Sequence, residues 1–401
     1  MCTGCNDYAL SRRRFLSNGA ATLAALAYAD PILRLVSQAY AQTSQGTGNL
    51  LVLCQLDGGL DALSFLAPFT NPVYQAKRPQ LALKADQVVP LPDNPEYGIN
   101  RQFQFFADLY QAGQLAIIQQ VAFPDGNGSH FESQEVFEYG VRNLGGAGAG
   151  VPWYERLRKT YFDEPYGVLN TQTIGDPRRY GYPDRTYRRA AQEAFGRLAR
   201  LPKSGRTSAQ SEVLAAYDRI DQRGQVLRER TQNFESTGAA RDDFYRAAML
   251  ASAGLGTRII KLRYGGFDTH GSQDQAQAEL FPTLNDHFQQ FVNDARNLGI
   301  WDRTAVLFYT EFGRRNEENG SPGTDHGYGG HMMLAGPRVS GGLKGQAVTT
   351  SDINQDNLSY YVDFRAVLGA TIRDWLGLDP APIFKLDGES YDENVGSPLF
   401  A

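Results

Sequence analysis

Two short stretches of the chain place a histidine beside an aspartate within a glycine-flanked turn. One is Gly265-Gly266-Phe267-Asp268-Thr269-His270; the other is Gly323-Thr324-Asp325-His326-Gly327-Tyr328-Gly329-Gly330. The whole chain has five histidines, so two of them in this setting is a strong concentration. Imidazole and carboxylate together form the ligand set for zinc, manganese or iron, and glycine lets the backbone bend sharply around such a site. Between the turns lies an apolar segment that ends on Thr310-Glu311-Phe312-Gly313-Arg314. Two further groups stand in comparable places: Asp57, before Gly58-Gly59, and Ser129-His130, after Pro124-Asp125-Gly126-Asn127-Gly128.

These residues need a frame, and the apolar pattern supplies one. Asn49 to Leu56 is a continuous apolar run that reads as a buried parallel strand with Asp57 at its carboxyl end. Leu115 to Val121, Thr257 to Leu262, Thr304 to Thr310 and Met332 to Ala335 read as further strands. Helices are expected over Gln102–Ala112, Phe131–Tyr139, Asp242–Ser252, Gln275–Leu298 and Tyr361–Leu376. Alternating strands and helices predict a doubly wound α/β arrangement. In such sheets ligands collect at the carboxyl edge of the strands. Asp57, Ser129, Asp268, Glu311 and His326 all follow expected strands, so separate coincidences become one site. His287, mid-helix beside Asp286, reads as surface. The glycines of Gly145–Gly150 lack the spacing of a phosphate loop and read as a connector.

From about 151 to 241 the strand signals thin out. Arg188, Arg189, Arg197, Arg200, Arg206, Arg219, Arg223, Arg228 and Arg230 crowd a helical stretch interspersed with acids. It reads as a helical insertion with solvated faces, or as a cap that attracts anions.

With 401 residues, 42% hydrophobic and 11% aromatic, the chain can hold one large globular domain with insertions. A net charge of −5 argues against nucleic acid as a partner. The first forty residues differ in kind. Ser11-Arg12-Arg13-Arg14-Phe15-Leu16 precedes an alanine-rich run, and Ala39-Tyr40-Ala41 has the pattern a signal peptidase reads. Residues 1–41 therefore read as a twin-arginine export signal, with residues 42–401 as the mature domain. Its apolar run is shorter than the roughly 20 residues a membrane span needs, so no transmembrane span is expected after cleavage. Cleavage would leave 35 basic and 42 acidic residues, with Cys54 the sole cysteine and no internal disulfide. The expected location is periplasmic or secreted.

The arginine signal, Leu56-Asp57-Gly58-Gly59-Leu60-Asp61, Ser129-His130-Phe131-Glu132-Ser133-Gln134 and the three stretches around Asp268, Glu311 and His326 together resemble domain-of-unknown-function family fifteen-oh-one. That group of exported bacterial proteins is placed in the alkaline phosphatase and sulfatase superfamily. The resemblance implies an α/β, alkaline-phosphatase-like fold, with a mainly parallel sheet sandwiched between helices. It also implies one or two divalent metal ions, zinc first among them, acting on phosphate or sulfate esters. On that resemblance Asp57, Asp268, His270, Glu311, Asp325 and His326 are the metal-ligand candidates. Ser129 is the candidate nucleophile, His130 an acid/base or additional ligand, and Arg314 a clamp for the anionic group. Two positions depart from the pattern: Phe312 stands where a second histidine is expected, and Asp268 and His270 are two residues apart rather than four. His130 or His331 could supply the lost nitrogen.

The expected function is an exported metal-dependent hydrolase of small anionic esters. The alternative is a non-catalytic envelope binding or scaffold protein that keeps the fold and a structural metal. A metal-free serine hydrolase is disfavoured, because Gly126-Asn127-Gly128-Ser129-His130 does not form the G-x-S-x-G elbow.

Overall fold

The structure, a computed structural model, describes residues 48–162, 164–174, 207–386 and 390–401, with Arg197 and Leu201 standing singly. The expected signal segment 1–41 and Arg188, Arg189, Arg200 and Arg206 lie outside the described residues. Among the described residues no helix is long and apolar enough to cross a membrane. The chain divides into two compact units. One contains Ile174–Asn233, and the other contains Gly46–Thr173 with Phe234–Ala401.

In the larger unit, β1 (Leu50–Asp57) leads to a small antiparallel sheet of β2 (Leu66–Ala67), β3 (Val88–Pro90) and β4 (Gly98–Asn100). Helix α1 (Gln104–Gln111), strand β5 (Leu115–Ala122), helices α2 (His130–Tyr139) and α3 (Trp153–Tyr161) and strand β6 (Val168–Asn170) follow. The smaller unit contributes α4 (Ser208–Thr231), opened by a capping box between Thr207 and Gln210. Gln222 and Gln225 bond Asp218 and Asp221 one turn back along it, the i,i+4 support expected of a solvated helix. Back in the larger unit come α5 (Asp243–Ser252), β7 (Ile259–Gly265), α6 (Gln273–Asn297), β8 (Thr304–Tyr309), β9 (Gly330–Ala335), β10 (Gly342–Gly345), β11 (Val362–Asp363) and α7 (Phe364–Ala370).

The main sheet runs β10-β5-β9-β8-β1-β7-β6, and β11 continues beside β5 where β10 leaves off. Every pairing is parallel except those of β9, which is antiparallel to both β5 and β8. This is a mixed, mostly parallel sheet flanked by helices, as the alternating pattern predicts. Strand alternation divides β8 between two cores. Ala305, Leu307 and Tyr309 pack with Leu51, Leu53, Leu334, Trp153 and Phe364 on one face. Phe308 turns to the other face, against Phe106 of α1, Phe244 of α5 and Phe288 of α6. Fully burying each such side chain is worth about 1.5–3 kcal/mol, so both layers are held by apolar area.

Three differences from the sequence reading concern what the sheet presents. The insertion expected at about 151–241 starts and ends elsewhere: Val168–Asn170 is an edge strand on β7, and the separate unit spans Ile174–Asn233. Three residues are too short a run to carry a strand signature. The closing helix starts at Phe364, behind Asp363 as its cap, rather than at Tyr361. His287 is half-buried rather than superficial, with its Nδ1 2.5 Å from the Tyr264 hydroxyl and also against an Asp242 carboxylate oxygen.

Candidate metal centre

The parallel strands β1, β5, β7 and β8 end on one edge of the sheet, and β9 begins there. The segment 310–329 therefore leaves that edge from β8 and returns to it through β9. It folds back on itself: Gly327 N donates to Gly313 O at 2.8 Å, Gly313 N donates to Tyr328 O at 2.9 Å, and Arg314 bridges to His326. Thr324 N donates to Thr269 O at 3.1 Å, which docks this return on the Asp268-Thr269-His270 turn. Glycine is required where the turns touch. A Cβ on Gly58, whose φ is +115°, would lie 2.3 Å from Asp268 N, and one on Gly323 would lie 2.3 Å from the His270 carbonyl carbon.

Three imidazoles converge on one carboxylate oxygen. Asp268 Oδ1 lies 3.5 Å from His130 Nε2, 3.0 Å from His270 Nε2 and 3.2 Å from His326 Nε2. His130, Asp268 and His326 offer ligand atoms all within 4.8 Å of one another, the spacing of a metal site. His270 stands beside that group, its Nε2 2.9 Å from His326 Nε2.

Each of these rings is turned by a partner on its other nitrogen. His130 Nδ1 is 2.7 Å from Glu311 Oε1, His270 Nδ1 is 3.1 Å from Asp325 Oδ1, and His326 Nδ1 is 2.8 Å from Gly128 O. A carbonyl oxygen or an ionised carboxylate can only accept, so each Nδ1 is a donor in these contacts, and an Nε2 that bound an ion would turn its lone pair to it. This is the outer arrangement that fixes the tautomer of a metal-ligating histidine.

Burial pushes the Asp268 carboxyl up, but the hydrogen bond and charge of Arg314, with His326 and His270, outweigh it and hold the group at about 2. Asp268 is thus an anion throughout the physiological range. Glu311 is buried, and its Oε1 also accepts from Gly58 N at 2.9 Å and Gln134 Nε2 at 3.0 Å. Beneath both turns lies the buried amide of Gln273. Its oxygen accepts from Thr269 Oγ1 at 2.9 Å and Thr324 Oγ1 at 2.6 Å, and its nitrogen donates to Asp61 at 2.6 Å. Both ends of the amide are satisfied, and it staples the two ligand turns together.

Several expected roles change on this geometry. Asp57 is not in the cluster: its Oδ2 pairs with Arg263 of β7 at 2.7 Å, and burial raises its pKa. The last residue of a strand faces wherever the pleat sends it, which spacing alone does not reveal. Glu311 and Asp325 orient histidines rather than present ligand atoms to the cluster. Arg314 is buried and spent on the scaffold, donating to the carbonyls of Gly58, Gly59, Phe267 and Thr324 and to Asp268, so it does not clamp a substrate. Ser129 caps α2, its hydroxyl accepting from Glu132 N at 3.5 Å, and no imidazole bonds it among the described residues. Phe312 packs at a tilt against the rings of His130 and His326, centroids 4.8 and 4.7 Å away, so its apolar ring walls the site. His130, the first residue of α2, supplies a nitrogen from another element instead. His331 is fully buried on β9 and takes no part.

An open cleft of about 590 Å³ lies against the cluster, walled by Gly128, His270, Asp325, His326, Arg315 and Asn357. The fold and the site together define an α/β protein with a histidine/aspartate cluster, spaced so that it could hold an ion, at the carboxyl edge of its sheet. The family described as "Protein of unknown function (DUF1501)" matches residues 178–391, more than half of the chain, and the chain belongs to it. No curated protein matches the chain in sequence. Among solved structures, Ps i-CgsB is similar over 86% of this chain and 75% of its own, at 11% identity and a TM-score of 0.35. The alkaline phosphatase from the Antarctic bacterium TAB5 is similar over 77% of this chain and 96% of its own, at 13% identity and a TM-score of 0.31. The Thermus thermophilus alkaline phosphatase is similar over 87% and 76%, at 10% identity and a TM-score of 0.31.

Proposed function

We propose that the chain is a metal-dependent hydrolase of phosphate or sulfate esters. The observation that carries this reading is the convergence of three imidazole Nε2 atoms on Asp268 Oδ1, each ring with its Nδ1 engaged on the far side. Imidazole nitrogens and one carboxylate suit zinc, with manganese, iron or cobalt as related choices. Asp268, His130 and His326 would hold the ion, with His270 beside them, and a bound divalent ion there supplies Lewis acidity toward an ester oxygen.

The protein's own groups prepare that position. Glu311 and Asp325 keep the Nδ1 protons in place. Arg314 keeps Asp268 ionised and fixed, because its other bonds tie it to four backbone carbonyls. Phe312 keeps water from one side of His130 and His326. His270, exposed to the cleft, is placed to exchange a proton with a bound ester or its leaving alcohol.

The test is to purify the protein with zinc or manganese added, then measure metal content and turnover of aryl phosphates and aryl sulfates. Stoichiometric metal and turnover, both lost in Asp268→Ala, are expected. Absence of bound metal would overturn the reading. A second reading, a metal-holding protein without turnover, is favoured by one observation: Ser129, the expected nucleophile, is capping a helix, and among the described residues no base hydrogen-bonds its hydroxyl. Stoichiometric metal without turnover on any ester would establish it.

A further inference from the structure

The segment after Glu311 carries two adjacent arginines with opposite fates. Arg314 pairs across the fold-back with His326, and its side chain is buried. Arg315 bridges instead to Asn357, and it is exposed on the wall of the 590 Å³ cleft. Residues opposite one another in an antiparallel bridge project to the same side, so Arg315 and Asn357 stand together. Among the described residues the Arg315 guanidinium makes no hydrogen bond or ion pair, although its backbone is fixed by Arg315 N donating to Asp325 O at 3.0 Å. Asn357 is in the same condition: its Oδ1 is buried without a partner, and its amide nitrogen makes no hydrogen bond.

An arginine fork and an amide donor, neither hydrogen-bonded through its side chain among the described residues, share a cleft wall with the histidine cluster. The one acid among the described residues of that wall, Asp325, is engaged by His270 and Asn319, and the Arg315 charge acts on it with no direct contact. A guanidinium matches two oxygens of a tetrahedral oxyanion and keeps its charge at any working pH. A cleft of this volume has room for a small ester.

We infer that Arg315, assisted by Asn357, is the anion-binding subsite of the cleft and holds a phosphate or sulfate group presented to the histidine cluster. The inference rests on the hydrolase reading for its location but concerns binding alone. Arg315 is a substrate-anchoring residue, the part first expected of Arg314.

The experiment titrates inorganic phosphate, inorganic sulfate and acetate calorimetrically into the full chain, zinc-supplemented and metal-free, as wild type, Arg315→Met and Arg315→Lys. Losing a bidentate charged contact weakens binding by about tenfold or more. Phosphate or sulfate affinity should therefore fall at least that much in Arg315→Met and by a smaller factor in Arg315→Lys. Zinc affinity should stay unchanged in both. Acetate should bind more weakly than either oxyanion. Equal phosphate and sulfate affinities in wild type and Arg315→Met, or binding of neither anion to the wild type, would overturn the inference. A failure of ester turnover would count against the hydrolase reading while leaving this result intact, and unimpaired turnover with unimpaired anion binding in Arg315→Met would do the reverse.

Discussion

Two arginine–carboxylate pairs sit close to the same edge of the sheet. Arg78 and Asp61 are 2.6 Å apart and wholly buried, and Asp61 also accepts from Ser64 Oγ, Gln273 Nε2 and Leu63 N. Burial pushes the Asp61 carboxyl up, and the Arg78 charge and hydrogen bonds more than reverse it. Arg314 and Asp268 are 2.5 Å apart, but only the arginine is buried, and the carboxylate side chain stays 48% exposed. In the first pair every group is used up inside the protein. In the second the arginine is consumed by the scaffold, while the carboxylate keeps accessible oxygen beside three imidazoles. The same residue types make a structural joint in one place and a reactive surface in the other. What separates them is which partner is left with spare valence.

That contrast can be broken most strongly at the closed pair. Asp61→Ala should cost about 3–5 kcal/mol, because it strands a buried guanidinium. Urea unfolding of metal-free protein measures it, and a loss below 1 kcal/mol would mean that the pair is not the joint described. His331 probes the same closed side. Burial holds its pKa down to about 4 from 6.5. The folded state then binds the proton less readily than the unfolded one. Its contribution is fully present above about pH 6.5 and is lost as pH falls toward 4, about 3 kcal/mol in all. Stability curves from pH 7 to 4 should be flatter for His331→Leu than for wild type, and parallel curves would contradict this.

On the open side the expected effects are on binding. Glu311→Gln keeps the shape but removes the carboxylate behind His130, and should lower zinc affinity about 10- to 100-fold in a chelator competition. An unchanged affinity would place His130 outside the metal shell. The smallest effect belongs to Ser129→Ala. It should cost about 1 kcal/mol as a lost helix cap and leave ester turnover unaltered. A collapse of turnover would instead restore Ser129 as nucleophile.

The sheet was legible because its central strands are mainly apolar runs, broken only by glutamines such as Gln55 and Gln119. Leu50–Asp57, Leu115–Ala122 and Thr304–Tyr309 all form where the pattern puts them. The site was legible as a neighbourhood for the same reason, since residues after parallel strands meet at one edge. Roles within it were not. Whether Asp57 meets Arg263 or a histidine, and whether Glu311 touches a metal or the back of His130, depends on turn geometry a few ångströms past the strand ends. Arg314 and Arg315 are indistinguishable in the sequence, and only the fold-back pairing shows that one is structural and the other free. The strand Val168–Asn170 was missed because tertiary pairing with β7, rather than local propensity, makes it a strand.

The reversed direction of β9 has a consequence for how such a protein can change. Segment 310–329 leaves and rejoins the sheet at the same edge, so it is a cassette clamped at both ends by β8 and β9. Chain could be added at its outer tip at little cost, because doubling the length of a loop costs only about 0.6 kcal/mol in closure entropy. Glu311, Arg314, Arg315, Asp325 and His326 all travel with it. A descendant could gain, lose or retune His326 and the groups that position His130, Asp268 and His270 by altering this one piece, while the rest of the sheet goes on folding as before.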